Sequence, residues 1–318
     1  MSPRGLQNEI KQNFEADEAT WLNYRDSIIN NFATINYQDL SDHLLREFNR
    51  KIINLGLNED LMFAPFDSGF RFLGNSISAA AYVAALKAAG ATVTAPQQAA
   101  ISSFMSGEIA AGRWDGIKRL YFPVWGLAAA NAICMKSLTS GTFSGAMTHG
   151  AGFITSTGGI LATNTNLPAL GITVESHYLF GLSKNSVDND FSSLISAFPE
   201  GVSLGRSDGE LSARTKNGSI TVNVDFECIN SYGGSRTLRY LKRRLSSGVT
   251  LLGTDTSSVT GNFGTSTINL MGAGVNSSNF YGDVGIIGLG TALTDAEDTA
   301  FTASLKTLWE TTTGLTLP

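Results

Sequence analysis

Residues 219–228 read SITVNVDFEC, and this stretch decides the fold class that we predict for the chain. Polar and apolar side chains alternate strictly along it, and the apolar set is Ile220, Val222, Val224, Phe226 and Cys228. Because successive side chains of a β-strand point to opposite faces of its sheet, the alternation predicts one strand with a single buried face.

Further short strands flank this one, separated by clusters of Gly, Asn and Ser that are typical of turns. The strand candidates are residues 120–125, 133–138, 172–182, 237–243, 249–252, 266–271 and 281–288. Helical patterns do not alternate with these strands, which argues against a doubly wound α/β fold. The sequence therefore predicts a mainly β protein, with an antiparallel jelly-roll β-sandwich of the concanavalin-like kind over residues 116–318.

Residues 1–60 predict an α-helical N-terminal arm of different composition, with 16 charged side chains. Trp21, Tyr24, Ile28 and Phe32 recur at helical spacing and would form one apolar stripe. A segment of this length with so narrow a stripe buries too little surface for a core of its own. We therefore expect these four residues to form an assembly interface with the rest of the chain, a second copy or another protein.

Two more helical segments frame the predicted sandwich. The Ala-rich residues 61–115 predict a helical connector, with Thr94 as the N-cap of its second helix. A C-terminal closing helix is predicted over residues 295–311, where Thr294 and Glu297 have the spacing of a capping box. We expect the closing helix to pack on the sandwich through an apolar side.

The composition restricts the classes of protein to which the chain can belong. Of its 318 residues, 34 are Gly, 2 are Cys and 15% are charged, against about 25% in an average soluble domain. These values exclude a coiled-coil rod, a collagen and a disulfide scaffold. A net charge of −5 argues against a general nucleic-acid binder. The first residues lack the apolar core of a secretory signal, and no apolar run is long enough to cross a bilayer.

Motifs for catalysis are mostly missing from the sequence. It holds no Gly-Lys dipeptide of a P-loop and no H-E-x-x-H, and its His and Cys residues never fall at metal-ligand spacing. We therefore predict no metal and no cofactor. Asn223, Asp225 and Glu227 share one face of the predicted strand, as solvated side chains or as part of a glycan-binding or glycan-cleaving groove.

A basic run occupies the next predicted hairpin and consists of Arg236, Arg239, Lys242, Arg243 and Arg244. Charges of this kind predict a solvated sheet edge that discourages pairing with another sheet. Contact with an acidic neighbouring subunit is the alternative interpretation.

Five short segments follow one another in a characteristic order: PVWG at 123–126, NAICMKSL at 131–138, FSG at 143–145, TH at 148–149 and LTDAE at 293–297. Their order and spacing resemble a family of tailed-bacteriophage virion proteins with a concanavalin-like (LamG-like) jelly-roll domain. The resemblance covers about residues 80–318 and leaves residues 1–75 uncovered. It implies a sandwich fold and a structural or adhesive role in a virion, without a catalytic set.

The residues and the resemblance together predict a non-enzymatic structural component of a tailed-phage virion, such as a tail, fibre or head-decoration protein. In this interpretation the chain assembles in the host cytoplasm, the arm docks onto other virion proteins in a homo-oligomer, and the sandwich is displayed. The alternatives are a carbohydrate-binding adhesin for a host surface glycan and, third, an enzyme that cleaves glycans with Asp225 or Glu227. We expect neither nucleic-acid binding nor membrane insertion.

Overall fold

The structure is a computed structural model, and it describes residues 63–66, 69–72, 77–186, 191–197, 202–207, 210–216, 218–224, 228–272 and 279–317. The chain divides into two compact units, Met1–Ser78 and Ala79–Pro318. In the first unit, the described part is a hairpin of two antiparallel strands, β1 (Phe63–Phe66) and β2 (Gly69–Phe72). The predicted helical arm, residues 1–60, lies outside the described residues.

The second unit contains two antiparallel sheets. The first has seven strands, in the order β12 (Gly218–Val222), β11 (Glu210–Thr215), β10 (Val202–Ser207), β9 (Phe191–Ala197), β16 (Thr267–Leu270), β7 (Ile160–Asn166) and β4 (Thr142–Ser144). Every strand pairing in it is antiparallel.

The second sheet has eight strands, all paired antiparallel. Seven of them follow the order β15 (Gly248–Asp255), β14 (Arg239–Leu245), β13 (Cys228–Gly234), β8 (His177–Lys184), β17 (Tyr281–Gly290), β6 (Ile154–Thr157) and β5 (Met147–His149). The eighth strand, β3 (Ile117–Tyr121), pairs with the C-terminal half of β17, whereas β6 pairs with its N-terminal half.

One cluster of buried apolar side chains joins the two sheets and makes them a sandwich. It includes Leu194, Leu204 and Ile268 from the seven-stranded sheet and Leu179 and Ile287 from the eight-stranded sheet. The sheets approach each other so closely that a Cβ atom at Gly181 would lie 2.5 Å from the Cδ2 of Leu194. The prediction of a mainly β, antiparallel jelly-roll sandwich is thereby confirmed.

The stretch 219–228, predicted as a single strand, belongs to two strands in different sheets. β12 ends at Val222 in the seven-stranded sheet, and β13 begins at Cys228 in the eight-stranded sheet. Ile220 and Cys228 are both buried. The alternation continues along the stretch because both strands face the same core from opposite sides, so it does not mark the point where the chain changes sheet.

Other predicted strands also differ from the structure. Residues 133–138 form a turn rather than a strand, because Leu138 has a φ of 54° and its N–H donates to the Cys134 carbonyl. The candidate at 172–182 begins only at His177. Strands β4 to β7 and β9 to β11 were not predicted, because short runs rich in Ser, Thr, Asn and Gly carry little apolar contrast.

Helices cover the outer face of the eight-stranded sheet. They are α1 (Ala79–Ala88), α2 (Ala95–Ala110), the short α3 (Ala128–Asn131) and the closing α4 (Asp295–Thr313). The capping box of Thr294 and Glu297 is present, and α4 ends at Gly314 in a left-handed conformation. The ring of Phe301 in α4 lies 5.0 Å from that of Phe180 in β8, measured between centroids, and 6.3 Å from that of Phe104 in α2.

The segment predicted as a helical connector, residues 61–115, is divided by the structure. Its beginning is the β1–β2 hairpin, whose strands FAPF and GFRF contain Phe residues that favour extended backbone. Helices α1 and α2 belong instead to the compact unit that starts at Ala79, so the boundary predicted at residue 116 lies inside that unit. The reason is the apolar contact of α2 with the closing helix.

The basic run is not a solvated sheet edge, because β14 lies between β13 and β15. Arg239, Lys242 and Arg244 are 0%, 2% and 9% exposed. The Lys242 Nζ lies 3.0 Å from the carboxylate of Asp298, which is buried. It lies 2.6 Å from the carboxylate of Asp295, which is exposed. The acidic partner of the strand is therefore the first turn of the chain's own helix α4.

Two further contacts attach α4 to the sheet at the same place. The hydroxyl of Tyr178 in β8 donates to Asp298. The Arg244 Nε donates to the Thr302 hydroxyl at 2.9 Å, and its Nη2 donates to the Thr299 carbonyl at 2.6 Å. Because a buried charge is costly without its partner, these contacts fix the position of the helix on the sheet.

Replacing Asp298 with Ala should lower the free energy of unfolding by about 3 kcal/mol, because the buried Tyr178 hydroxyl loses its acceptor and the buried Lys242 ammonium loses one of its two carboxylates, keeping only Asp295. Urea denaturation followed by circular dichroism measures the change. The control is Lys306→Ala, which breaks the partly exposed Lys306–Glu310 pair and should cost less than about 0.5 kcal/mol. Equal losses in the two variants would contradict the structural role assigned to Asp298.

Candidate functional site

Of the residues predicted to form a site, the structure describes only Asn223. Asn223 is exposed and directly follows β12, at the edge of the seven-stranded sheet. Asp225 and Glu227 lie outside the described residues, as do Trp21, Tyr24, Ile28 and Phe32 at the predicted assembly interface. The predictions for these six residues stay predictions.

The outer face of the seven-stranded sheet reaches solvent next to Asn223. Along β11, Leu211 and Ala213 are buried in the core, whereas Ser212 and Arg214 point away from it. Each neighbouring strand alternates in the same way, with its apolar residues inward. The outward side chains are mostly small and polar, and they reach solvent on both sides of β9, where Ser193 and Ser196 are 0% and 3% exposed.

The register of the strands aligns these outward residues in a row across the whole sheet. Direct pairing partners follow one another from edge to edge. We call this set the polar row, and it consists of Ser219, Arg214, Ser203, Ser196, Asn269, Ala162 and Thr142. Six of the seven side chains carry hydrogen-bonding groups, and five of these six are exposed or half-buried, whereas Ser196 is buried.

Neighbouring polar groups orient parts of this surface. The Arg214 Nε donates to the Lys216 carbonyl at 2.8 Å, which holds the exposed guanidinium over the sheet edge. Beside the row, the hydroxyls of Ser212 and Thr221 lie 3.4 Å apart on adjacent strands. At the far end, the Asn164 Nδ2 donates to the Thr142 hydroxyl at 3.2 Å.

The described side chains on this face offer hydrogen-bonding groups and one guanidinium, that of Arg214. Glu210 is the only carboxylate on the described strands of the seven-stranded sheet. Glycoside hydrolysis commonly needs two carboxylates that flank the scissile bond. The described strands of this face are therefore equipped to bind a polar ligand and do not supply that pair.

A second polar cluster lies inside the sandwich, where sequence reasoning placed no site. The His177 Nε2 lies 2.9 Å from the Thr215 hydroxyl, which in turn donates to the Tyr232 hydroxyl at 2.9 Å. The ring of Phe263 packs edge-on against His177 at 5.8 Å between centroids. A His beside a hydroxyl resembles a base and its nucleophile, but His177, Thr215 and Tyr232 are 0% exposed and cannot reach a substrate.

Arg239 closes this cluster at one end of the sandwich. Its Nη2 donates to the Asp255 carboxylate at 2.7 Å and to the Ser257 carbonyl at 2.6 Å, and its Nη1 donates to the Arg236 carbonyl at 2.6 Å. Burial, with a smaller contribution from the charge of Arg239, lowers the pKa of His177 to about 4. The cluster therefore joins strands β8, β11, β13 and β14 around a neutral imidazole.

The stability of the fold should fall with acid through His177. The unfolded chain binds a proton at a pKa near 6.5, whereas the folded chain does so at about 4, so stability is lost as the pH falls from about 6.5 to 4. The loss from this group should reach about 3 kcal/mol at pH 4, measured by denaturant titration at a series of pH values. In His177→Gln, this part of the pH dependence should disappear.

The matched control for His177 is His149→Gln. His149 is half-buried and lies outside the cluster, and burial lowers its pKa, so His149→Gln should keep the loss of stability that is assigned to His177. Parallel stability curves for His177→Gln and the parent chain would contradict the assignment.

Comparisons with known proteins show distant structural likeness. No protein-family model matches the chain, and no curated protein does. One similar solved structure is the receptor-binding domain of botulinum neurotoxin mosaic serotype C/D, at 10% identity and a TM-score of 0.42, over 60% of this chain and 51% of that one. A botulinum neurotoxin type C structure, described as dependent on two ganglioside molecules for cell entry, has 13% identity and a TM-score of 0.43 over 61% and 53% of the chains.

A third similar structure is the CBM40 of the Ruminococcus gnavus IT-sialidase, bound to α2,3-sialyllactose. It has 12% identity and a TM-score of 0.33, over 44% of this chain and 92% of that one. The matches cover about half the length of the toxin domains. The resemblance to phage virion proteins stays a prediction from the sequence segments. Among the described residues, no helix is long and apolar enough to cross a membrane.

Proposed function

We propose that this chain is a non-enzymatic carbohydrate-binding module, and that the polar row on the seven-stranded sheet holds the glycan. The observation that carries the proposal is the row itself, in which members on five of the seven strands present hydroxyl, amide and guanidinium groups to solvent, on either side of the buried Ser196. Each sugar hydroxyl is both a donor and an acceptor, and Ser, Thr and Asn side chains offer the same two functions.

The dimensions of the row favour an extended glycan over a single sugar. Neighbouring strands lie about 4.8 Å apart, so the six steps from Ser219 to Thr142 span about 29 Å. Ser196, at the centre of the row, is buried, so an extended glycan would contact the exposed and half-buried members on either side of it. Arg214 adds a planar cation that suits a carboxylate or sulfate, so we expect an acidic polysaccharide.

A binding role rather than hydrolysis agrees with the single carboxylate, Glu210, on the described strands of this sheet. Hydrolysis by Asp225 or Glu227 is the competing interpretation, and it has a direct test. If Asp225→Asn and Glu227→Gln together abolish a glycan-cleaving activity of the chain, the module is an enzyme and the proposal is wrong.

Glycan binding should weaken when the polar row loses single side chains. A glycan array of neutral and acidic polysaccharides identifies the ligand, and calorimetry with the full chain then measures its Kd. Arg214→Ala and Asn269→Ala should each raise that Kd by about tenfold or more, because each removes a hydrogen-bonding group at the ligand. In Arg214→Lys, which keeps the charge but loses the planar fork, binding of an acidic glycan should be intermediate.

The control for this experiment is Ser247→Ala, an exposed side chain in the turn between β14 and β15 of the other sheet. Its Kd should equal that of the parent chain. The proposed site is wrong if the parent chain binds no glycan on the array. It is also wrong if Asn269→Ala and Ser247→Ala bind the glycan with equal affinity.

We further propose that the module is displayed on a tailed-phage virion, with the N-terminal segment as its attachment. The support is the ordered set of segments at 123–126, 131–138, 143–145, 148–149 and 293–297, together with the apolar stripe in residues 1–60. In this setting other virion proteins and further copies of the chain are its partners, and a host surface glycan is its ligand.

Particle incorporation tests the attachment. The double variant Trp21→Asp and Ile28→Asp should fail to enter particles, because it places two charges on the apolar stripe. Its thermal unfolding should match that of the parent chain, since the sandwich is a separate compact unit. The control is Asn23→Asp, on the opposite side of the predicted helix, which should enter particles normally. Normal incorporation of the double variant would refute the attachment.

A further inference from the structure

We propose that residues 256–266 form a gate at one end of the sandwich, which opens locally when His177 takes up a proton. These residues, called the gate loop below, connect β15 to β16 and contain neither helix nor strand. The relevant features are the few contacts that hold the loop closed, the ring that it packs against His177, and the strand pairings around the buried cluster. This property is independent of the proposed glycan binding.

Few apolar contacts hold the gate loop against the sandwich. Val259 and Phe263, at 0% and 7% exposed, are its two buried residues, whereas most of the others are exposed. The Phe263 ring packs edge-on against the His177 ring, with 5.8 Å between the centroids. Segments with so few buried contacts open locally at a much lower free energy than the core strands of a protein. The gate loop can therefore move while the sheets stay folded.

Arg236, in the turn between β13 and β14, holds the gate loop from the outside. Its Nη1 donates to the carbonyls of Val259 and Gly261 at 2.7 and 3.0 Å, and its Nη2 donates to the Asn262 side chain at 3.2 Å. Its Nε donates to the Glu175 carboxylate at 2.5 Å, and the Glu175 side chain is 60% exposed. Because exposed ion pairs contribute little free energy, this attachment keeps the loop closed without fixing it permanently.

The Nδ1 atom of His177 is the position where a proton would bind. The Thr215 hydroxyl donates to Tyr232, so it accepts from the His177 Nε2–H and leaves Nδ1 without a proton. Nδ1 is buried and makes no hydrogen bond. Burial lowers the pKa of His177 to about 4, although the nearby backbone of Val174 and Thr173 favours the proton. The charged imidazole therefore becomes stable only when water reaches it.

The other charged and titratable groups around His177 do not provide this response. Arg239 and Asp255 form an ion pair at 2.7 Å, and the charge of Arg239 opposes a second cation at His177. Burial raises the pKa of the Tyr232 hydroxyl to about 12, so this group stays neutral in acid. Glu175 contacts Arg236 rather than the imidazole, and a separate variant tests it below.

The gate loop is the wall of the cluster that can yield. His177, Thr215 and Tyr232 belong to β8, β11 and β13, and each of these strands is paired on both sides. Phe263, in contrast, belongs to a segment without strand pairing. Moving Phe263 would admit water to the imidazole without breaking a strand pairing. Proton uptake should therefore open the gate loop before it unfolds the sheets.

Hydrogen–deuterium exchange of the full chain tests the gate. The Val259 N–H donates to the Arg236 carbonyl at 3.1 Å, so the protection factor of this amide reports closure. The pKa of His177 is about 4 in the closed state and about 6.5 in contact with water, so opening should become about 20-fold more frequent between pH 7 and pH 5. The protection factor of Val259 should fall by the same factor.

The amide of Tyr232, in a central strand, is the internal reference. Its protection factor should stay above that of Val259 at both pH values, because its exchange needs a larger opening. Low concentrations of urea should accelerate exchange at Tyr232 and leave exchange at Val259 unchanged, since a local opening exposes little surface.

Three variants assign the effect to its residues. His177→Gln should abolish the change in Val259 protection between pH 7 and pH 5. The matched control, His149→Gln, lies outside the cluster and should retain the change. Arg236→Ala removes the outer attachment, so it should lower the protection factor at pH 7 by about tenfold or more, while the ratio between the two pH values stays near 20.

The gate is refuted if the protection factor of Val259 does not depend on pH, or if it equals that of Tyr232 at every pH and urea concentration. It is also refuted if His177→Gln retains the pH dependence, or if Glu175→Gln removes it, because the sensor would then lie elsewhere. Circular dichroism shows whether each variant is folded. If His177→Gln does not fold, the parent chain, Arg236→Ala and Glu175→Gln decide, since all three keep His177 and should share one ratio.

Discussion

Strand β8, in the middle of the eight-stranded sheet, is buried on both of its faces, and the rest of the structure depends on this constraint. In β8 every residue from His177 to Ser183 is buried, because the second sheet covers one face and the helices cover the other. A strand of this kind cannot alternate between apolar and polar residues. Polar groups in it must find partners inside the protein, as Tyr178 does with Asp298 and His177 does with Thr215.

The same constraint explains the basic strand β14. Lys242 and Arg244 stand on the helix-covered face, where an unpaired charge would be costly, and α4 supplies an acidic first turn and a hydroxyl as partners. The acidic residues of that turn also interact favourably with the helix dipole. One sequence feature, the acidic start of α4, therefore stabilises the helix and neutralises the strand beneath it.

Patterns along the chain predicted the fold class, the capping boxes and the closing helix, because each depends on residues close in sequence. The boundary between β12 and β13 could not be predicted, since Ile220 and Cys228 face one core from two sheets. The burial of Arg239 was missed because its partners Asp255 and Ser257 are set by the fold, and a charge run alone indicates solvent.

The polar row was missed for a related reason. Thr142, Ser196, Arg214 and Asn269 are far apart in sequence and become neighbours only through the register of five pairings. Each strand alone shows small polar residues that are also typical of loops. Asn223 was singled out from its own strand, and it lies at the edge of the same face. The alternation along residues 219–228 thus indicated a polar position at the sheet edge. The other members of the row could be identified only once the order and register of the strands were known.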